Sequence, residues 1–215
     1  KIIGLEAKVE YSQSATESVD IYGVKVNSTS SVKYFYTDGT EAASDLAAIN
    51  PGYVDDEGNI RIGLLKKAEG GAASMGRDIF GGSYETSTTN TYVILDGKAK
   101  VLNVHTVTTT QNIDGGASST DSYIDYTYSP ADEVYVDPTT GREGTGVLIG
   151  GEGHSEGTGE DIFGNGYETT STEVYGVFGG QPRVISSDTD TAYMDPFGAA
   201  TENIQTTEYT YKDEL

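Results

Sequence analysis

YETSTTNTYVIL, residues 84–95, is a run of β-branched, hydroxyl-bearing and aromatic residues. Such residues fit a pleated surface and mark a strand. KVLNVHTVTTTQ at 100–111 and SYIDYTYS at 122–129 have the same texture. Asp96-Gly97 separates the first run from the second, and Asp114-Gly115-Gly116 separates the second from the third. Both are hairpin-turn signals, because the residues that tolerate positive φ sit where the chain must reverse. The three runs predict an antiparallel meander.

The meander occurs twice. GRDIFGGSYET at 76–86 is matched by GEDIFGNGYET at 159–169, an offset of 159 − 76 = 83. The offset continues without a gap: Tyr92 falls on Tyr175, Gly97 on Gly180, Gly115 on Gly198 and Tyr128 on Tyr211. Repeated glycines imply repeated turns. The second meander is thus predicted at 167–178, 183–194 and 201–211. A degenerate third copy lies at the N-terminus, where SVKYFYTDG (31–39) resembles SYIDYTYSP (122–130). Two registers are open for its start: KII at 1–3 against KVL at 100–102, or DIYGV at 20–24 against EVYGV at 173–177.

These observations predict an all-β fold of antiparallel meander repeats packed as a sandwich or barrel. Three units are expected, 1–65, 66–149 and 150–215, which could form one continuous domain. One short helix is expected over 40–49, TEAASDLAAI, ended by Asn50-Pro51. The glycine-rich stretches 66–76 and 150–160 read as loops or linkers. The expected core includes Ile79, Phe80, Tyr92, Ile94, Val101 and Val104, with their copies Ile162, Phe163, Tyr175, Val177 and Val184.

Composition narrows function. The 34 acidic residues against 13 basic ones give a net charge of −21, which repels nucleic acid and anionic membranes. The chain has no cysteine, so thiol catalysis, zinc ribbons and disulfide frameworks are excluded. No apolar run is long enough for a transmembrane helix. Phosphate-cradle, nucleophile-elbow and dinucleotide fingerprints are absent. His105 sits in a strand and His154 in a glycine-rich stretch, neither within a local constellation. The expectation is of a chain without enzymatic activity.

Calcium is the cofactor the acidic turns suggest, since hard cations take carboxylate and carbonyl oxygens. The candidate ligands are Asp55, Asp56 and Glu57 near Asn59, then Asp132, Glu133 and Asp137, and finally Asp188 and Asp190, two apart on one strand face. The chain closes on KDEL, 212–215, which reads either as an endoplasmic-reticulum retention signal or as the counterpart of Asp132, Glu133 and Val134 in a truncated repeat.

Threonine-rich strands such as ETSTTNTY have no greasy face. They project past a core, form a wet sheet face or pair with another chain. The leading expectation is therefore an extracellular or surface structural subunit that polymerises head to tail through its strand edges. A secreted module binding a small ligand, a glycan or calcium is the alternative. A luminal endoplasmic-reticulum protein is the third reading.

Overall fold

The structure, a computed structural model, describes residues 2–3, 6–19, 23–130, 133–136, 141 and 143–211. It is all-β and antiparallel. Ten long strands form one sheet: β3 (Tyr11–Val19), β4 (Lys25–Tyr36), β5 (Leu65–Arg77), β6 (Ser83–Leu95), β7 (Lys98–Gln111), β8 (Ala117–Tyr128), β11 (Leu148–Glu160), β12 (Gly166–Phe178), β13 (Gln181–Met194) and β14 (Ala200–Glu208). Their order in the sheet is their order in the chain. Two small ribbons complete the fold: β1 (Ile2–Ile3) with β2 (Glu6–Ala7), and β9 (Tyr135–Val136) with β10 (Glu143–Gly144). The meanders thus run on as a single sheet, and among the described residues β14 and β3 are not paired with each other.

The predicted hairpins form. Asp96 and Gly97 both take positive φ, 52° and 71°, as a two-residue turn between β6 and β7 requires. Gly179 and Gly180 repeat it between β12 and β13, at 59° and 79°. The bulges repeat as well. Leu102 and Ile185 are each the extra residue opposite a regular strand, as are Lys66 and Ile149, and each pair is 83 apart.

The glycine-rich stretches 66–76 and 150–160, expected as loops, are the strands β5 and β11. The neighbouring strand explains them. A Cβ on Gly76 would stand 2.2 Å from the ring of Tyr84, and one on Gly159 would stand 2.3 Å from that of Tyr167. At Gly70 it would meet Tyr92 Oη at 2.9 Å, and at Gly153 the ring of Tyr175 at 3.1 Å. Each glycine-rich strand is a bed on which two tyrosines of the next strand lie, and ring packing on glycine replaces the side-chain pairing of an ordinary strand.

The N-terminal copy takes neither of the two registers open in the sequence. Tyr128 Oη donates to Val101 O (2.8 Å) and Tyr211 Oη to Val184 O (2.7 Å). Tyr36 Oη donates in the same way to Val9 O (2.9 Å). Val9 is therefore the counterpart of Val101, with an offset of 128 − 36 = 92. Residues 20–22 lie outside the described residues, and Gly23, at φ 83°, falls at this offset on Gly115, at φ 94°.

Among the described residues the largest buried hydrophobic side chains, Leu46 and Tyr53, gather at one place. The connection from β4 to β5 carries the expected helix, α1 (Ala43–Ile49), followed by a 3-10 turn, Pro51–Tyr53. Leu46 and Tyr53 point inward, and Tyr53 Oη donates to Leu65 O (2.5 Å). The buried Thr37 closes the base of the insertion: its Oγ1 donates to Arg61 O (2.6 Å) and accepts from Leu64 N (3.0 Å). Ser129 does the equivalent job under the β8–β11 connection, accepting from Val147 N at 2.9 Å.

Several expected core residues lie elsewhere. Ile79, Phe80, Ile162 and Phe163 are exposed, because each pair occupies the tip of a turn instead of a strand. Tyr92, Ile94, Val101, Val104, Tyr175, Val177 and Val184 are half-buried within the sheet.

Candidate functional site

Cross-strand partners share a face, so the register divides the sheet into two chemically different surfaces. One carries hydroxyls. A row runs Thr16, Ser28, Ser74, Thr86, Thr108, Thr120, Gly157, Thr169, Thr191, Asn203 across all ten strands. The next row on that face has Ser14 and Ser30 at one end, Thr88 and Thr106 in the middle, and Thr189 and Gln205 at the other. Hydroxyls bond across the strands: Thr86 with Thr108 (3.2 Å) and Thr88 with Thr106 (3.1 Å). The same pairs recur 83 residues on, Thr169 with Thr191 and Ser171 with Thr189, both at 3.1 Å. The tyrosines that lie on glycine are on this face. Burial raises the Tyr175 hydroxyl well above the usual phenol range, helped by its hydrogen bond to Glu173 (2.6 Å).

The opposite face is acidic and holds both histidines. His105, Tyr123 and His154 are directly opposite one another on β7, β8 and β11. The rings of His105 and Tyr123 stack at 4.2 Å, 4° from parallel. In the adjacent row Asp121 faces Glu156. Two carboxylates so placed repel, and each has a histidine beside it. His105 Nε2 donates to Asp121 Oδ1 (2.7 Å) and His154 Nε2 to Glu156 Oε1 (3.2 Å). The sequence alone offers no constellation for either histidine, because the glycine-rich stretch around His154 reads as a loop and only the β8–β11 register brings the two together. Towards the turn end of this face lies an open trough of about 980 Å³, running from Lys25 and Arg77 across to Glu160.

The calcium candidates do not converge. Asp55 is engaged by its own turn, its Oδ1 accepting from Asn59 N (2.8 Å) and Glu57 N (3.0 Å). The Asn59 amide holds its carboxyl below the usual range. Asp56 and Glu57 are exposed in that turn. Glu133 is described, but Asp132 and Asp137 lie outside the described residues, as does the KDEL tail at 212–215. Asp188 and Asp190 share the acidic face of β13, as expected. Among the described residues no group of three or more His, Asp or Glu is placed to hold a metal ion. No helix among them is long and apolar enough to cross a membrane.

The turn end of the sheet is built from one repeated unit. Asp78, Asp161 and Asp195 each accept two backbone amides with Oδ1, from the residues two and four further on. Asp161 also accepts from Asn165 Nδ2 (2.7 Å), which with the Asn165 and Phe163 amides holds its carboxyl below the usual value. A folded-state pKa below the unfolded one stabilises the turn fully above the ordinary aspartate value of about 3.9. That stabilisation is lost as pH falls through the depressed value. The Phe163 and Asn165 amide resonances should therefore hold still from neutral pH to about 5 and move only below about 4. Asp161→Ala should shift them at every pH.

No protein-family model, curated protein or solved structure matches the chain.

Proposed function

We propose that the chain is a structural subunit of an extracellular filament, matrix or coat, extended by pairing β14 of one copy with β3 of the next. The observation that carries this reading is the geometry of the two edges. Both outer strands offer a row of backbone donors and acceptors to a further strand, and β3 is solvent-exposed along its whole length. The sheet has ten strands, an even number, so β3 and β14 run in opposite directions. A copy set beside the first in the same orientation, turned only by the sheet's own twist, continues the antiparallel alternation. It also keeps the hydroxyl rows on one face.

Charge sets the condition for this joint. Following the register from edge to edge, Glu17 on β3 and Glu202 on β14 end the same row. Joined in that register they face each other, on a chain of net charge −21. Like charges directly opposite oppose pairing, and salt screens them over a Debye length of about 8–10 Å near physiological strength. Sedimentation should therefore show large species that grow with sodium chloride and dissolve on dilution into low salt. Glu17→Gln with Glu202→Gln should lower the salt needed for assembly. A chain that stays small at every salt concentration would overturn the proposal and turn attention to the trough as a ligand site.

A further inference from the structure

The turn tips form a surface that the edge joint does not use. Ile79, Phe80, Ile113, Ile162, Phe163 and Phe197 are all exposed at the same end of the sheet, with Phe80, Phe163 and Phe197 at 67%, 74% and 95% of their full exposure. They form a ridge whose outermost turns touch, with a groove of about 270 Å³ between the turns of Ile113 and Phe163. Ile79 Cγ2 lies 3.3 Å from where a Cβ on Gly23 would stand, and Pro196 Cγ lies 3.6 Å from that point on Gly164. Ile79 and Pro196 thus fill the gaps between adjacent turns, leaving the phenylalanines to project outward.

We propose that this ridge packs against the same ridge of a second copy, joining two sheets end to end. Three features favour this occupant. Asp78, Asp161 and Asp195 already take up two amides of each of their turns, including those of all three phenylalanines, which lowers the cost of dehydrating the tips. The exposed apolar area is on the order of 700 Å² per copy, about 350–590 Å² of it from the three phenylalanines at 150–250 Å² for a fully exposed aromatic and the rest from Ile79, Ile113 and Ile162. That approaches the roughly 800 Å² per partner of a standard interface. Successive turns are also about 9.6 Å apart, two strand spacings, so the partner that meets every knob has knobs at that spacing. A second copy does, and like-to-like contact about a twofold axis is self-complementary.

The ridge runs perpendicular to the edge joint and does not depend on it, so the two are separable by experiment. Just below the salt concentration at which edge pairing begins, where the net charge of −21 is partly screened at the tips as well, the wild-type chain should sediment as a dimer in a concentration-dependent equilibrium. Phe80→Ser, Phe163→Ser and Phe197→Ser together should weaken that dimer at least ~100-fold, with the far-UV circular dichroism unchanged. Phe197→Ser alone, at the most exposed tip, should weaken it by a smaller factor and serves as the test if the triple variant misfolds. Glu17→Gln with Glu202→Gln should leave the dimer as it is. A wild-type chain that stays monomeric up to the salt concentration at which edge pairing begins, or a tip variant that dimerises as tightly as the wild type, would overturn the inference. So would flotation of a monomeric wild-type chain with zwitterionic phosphatidylcholine vesicles that the tip variants lose, which would assign the ridge to lipid.

Discussion

Leu46→Ala should cost about 2–5 kcal/mol, the range for emptying a buried leucine site. Leu46 is 2% exposed, on a helix of seven residues. A helix that short does not persist alone in water, and α1 has no side-chain cap at its N-terminus. It is held by Leu46 and Tyr53 below it and by the Glu41–Lys66 ion pair at its start. Burial of Glu41 works against its charge, yet the hydrogen bonds from Lys66 and the 38 and 41 amides outweigh this and leave its carboxyl below the usual value. The loss should be local. Amide exchange should speed up at Leu46, Asn50, Tyr53 and Leu64 while β12–β14 keep their protection. Equal loss across the whole sheet would mean that the insertion nucleates the fold.

Gly70→Val and Gly153→Val should each destabilise the sheet by about 1–3 kcal/mol through overpacking. At Gly70 even a Cβ would stand 2.7 Å from Ser31 O and 2.9 Å from Tyr92 Oη, so either the β4–β5 ladder or the tyrosine has to move. At Gly153 the Tyr175 ring and the Glu173 side chain, both 3.1 Å away, have to give. Gly166→Ala is the control. Its nearest neighbour would be 3.8 Å off, and it should be tolerated. The denaturation midpoint decides the matter. Valine variants as stable as the control would show that the tyrosines do not depend on the glycine beds.

The all-β class, the repeat, the hairpin turns at Asp96-Gly97 and Asp114-Gly115-Gly116 and the helix ending at Asn50-Pro51 were legible in the sequence because each rests on local chemistry. The strands β5 and β11 were not. Glycine is depleted in strands because it offers nothing to pack, and here the packing partner sits on a different strand. Tyr84 and Tyr92, spaced eight apart against Gly76 and Gly70 spaced six apart, carried a signal that only the pairing register reveals. The same gap hid the His105–Tyr123–His154 row, which needs β8 and β11 in register across an insertion. Ile79 and Phe80 misled for another reason. Hydrophobic residues between Asp and Gly look like a strand end, yet the aspartate that accepts amides two and four residues on turns them outward as a tip.

The most direct test of the structural reading is cryo-electron microscopy of the chain assembled at high salt. Ten strands at about 4.8 Å each give a subunit repeat of about 48 Å along a continuous sheet one layer thick. Ribbons with that repeat, and with strands perpendicular to the ribbon axis, are what edge pairing of β14 with β3 predicts. Discrete particles of one or two copies, with β3 and β14 still facing solvent, would contradict it.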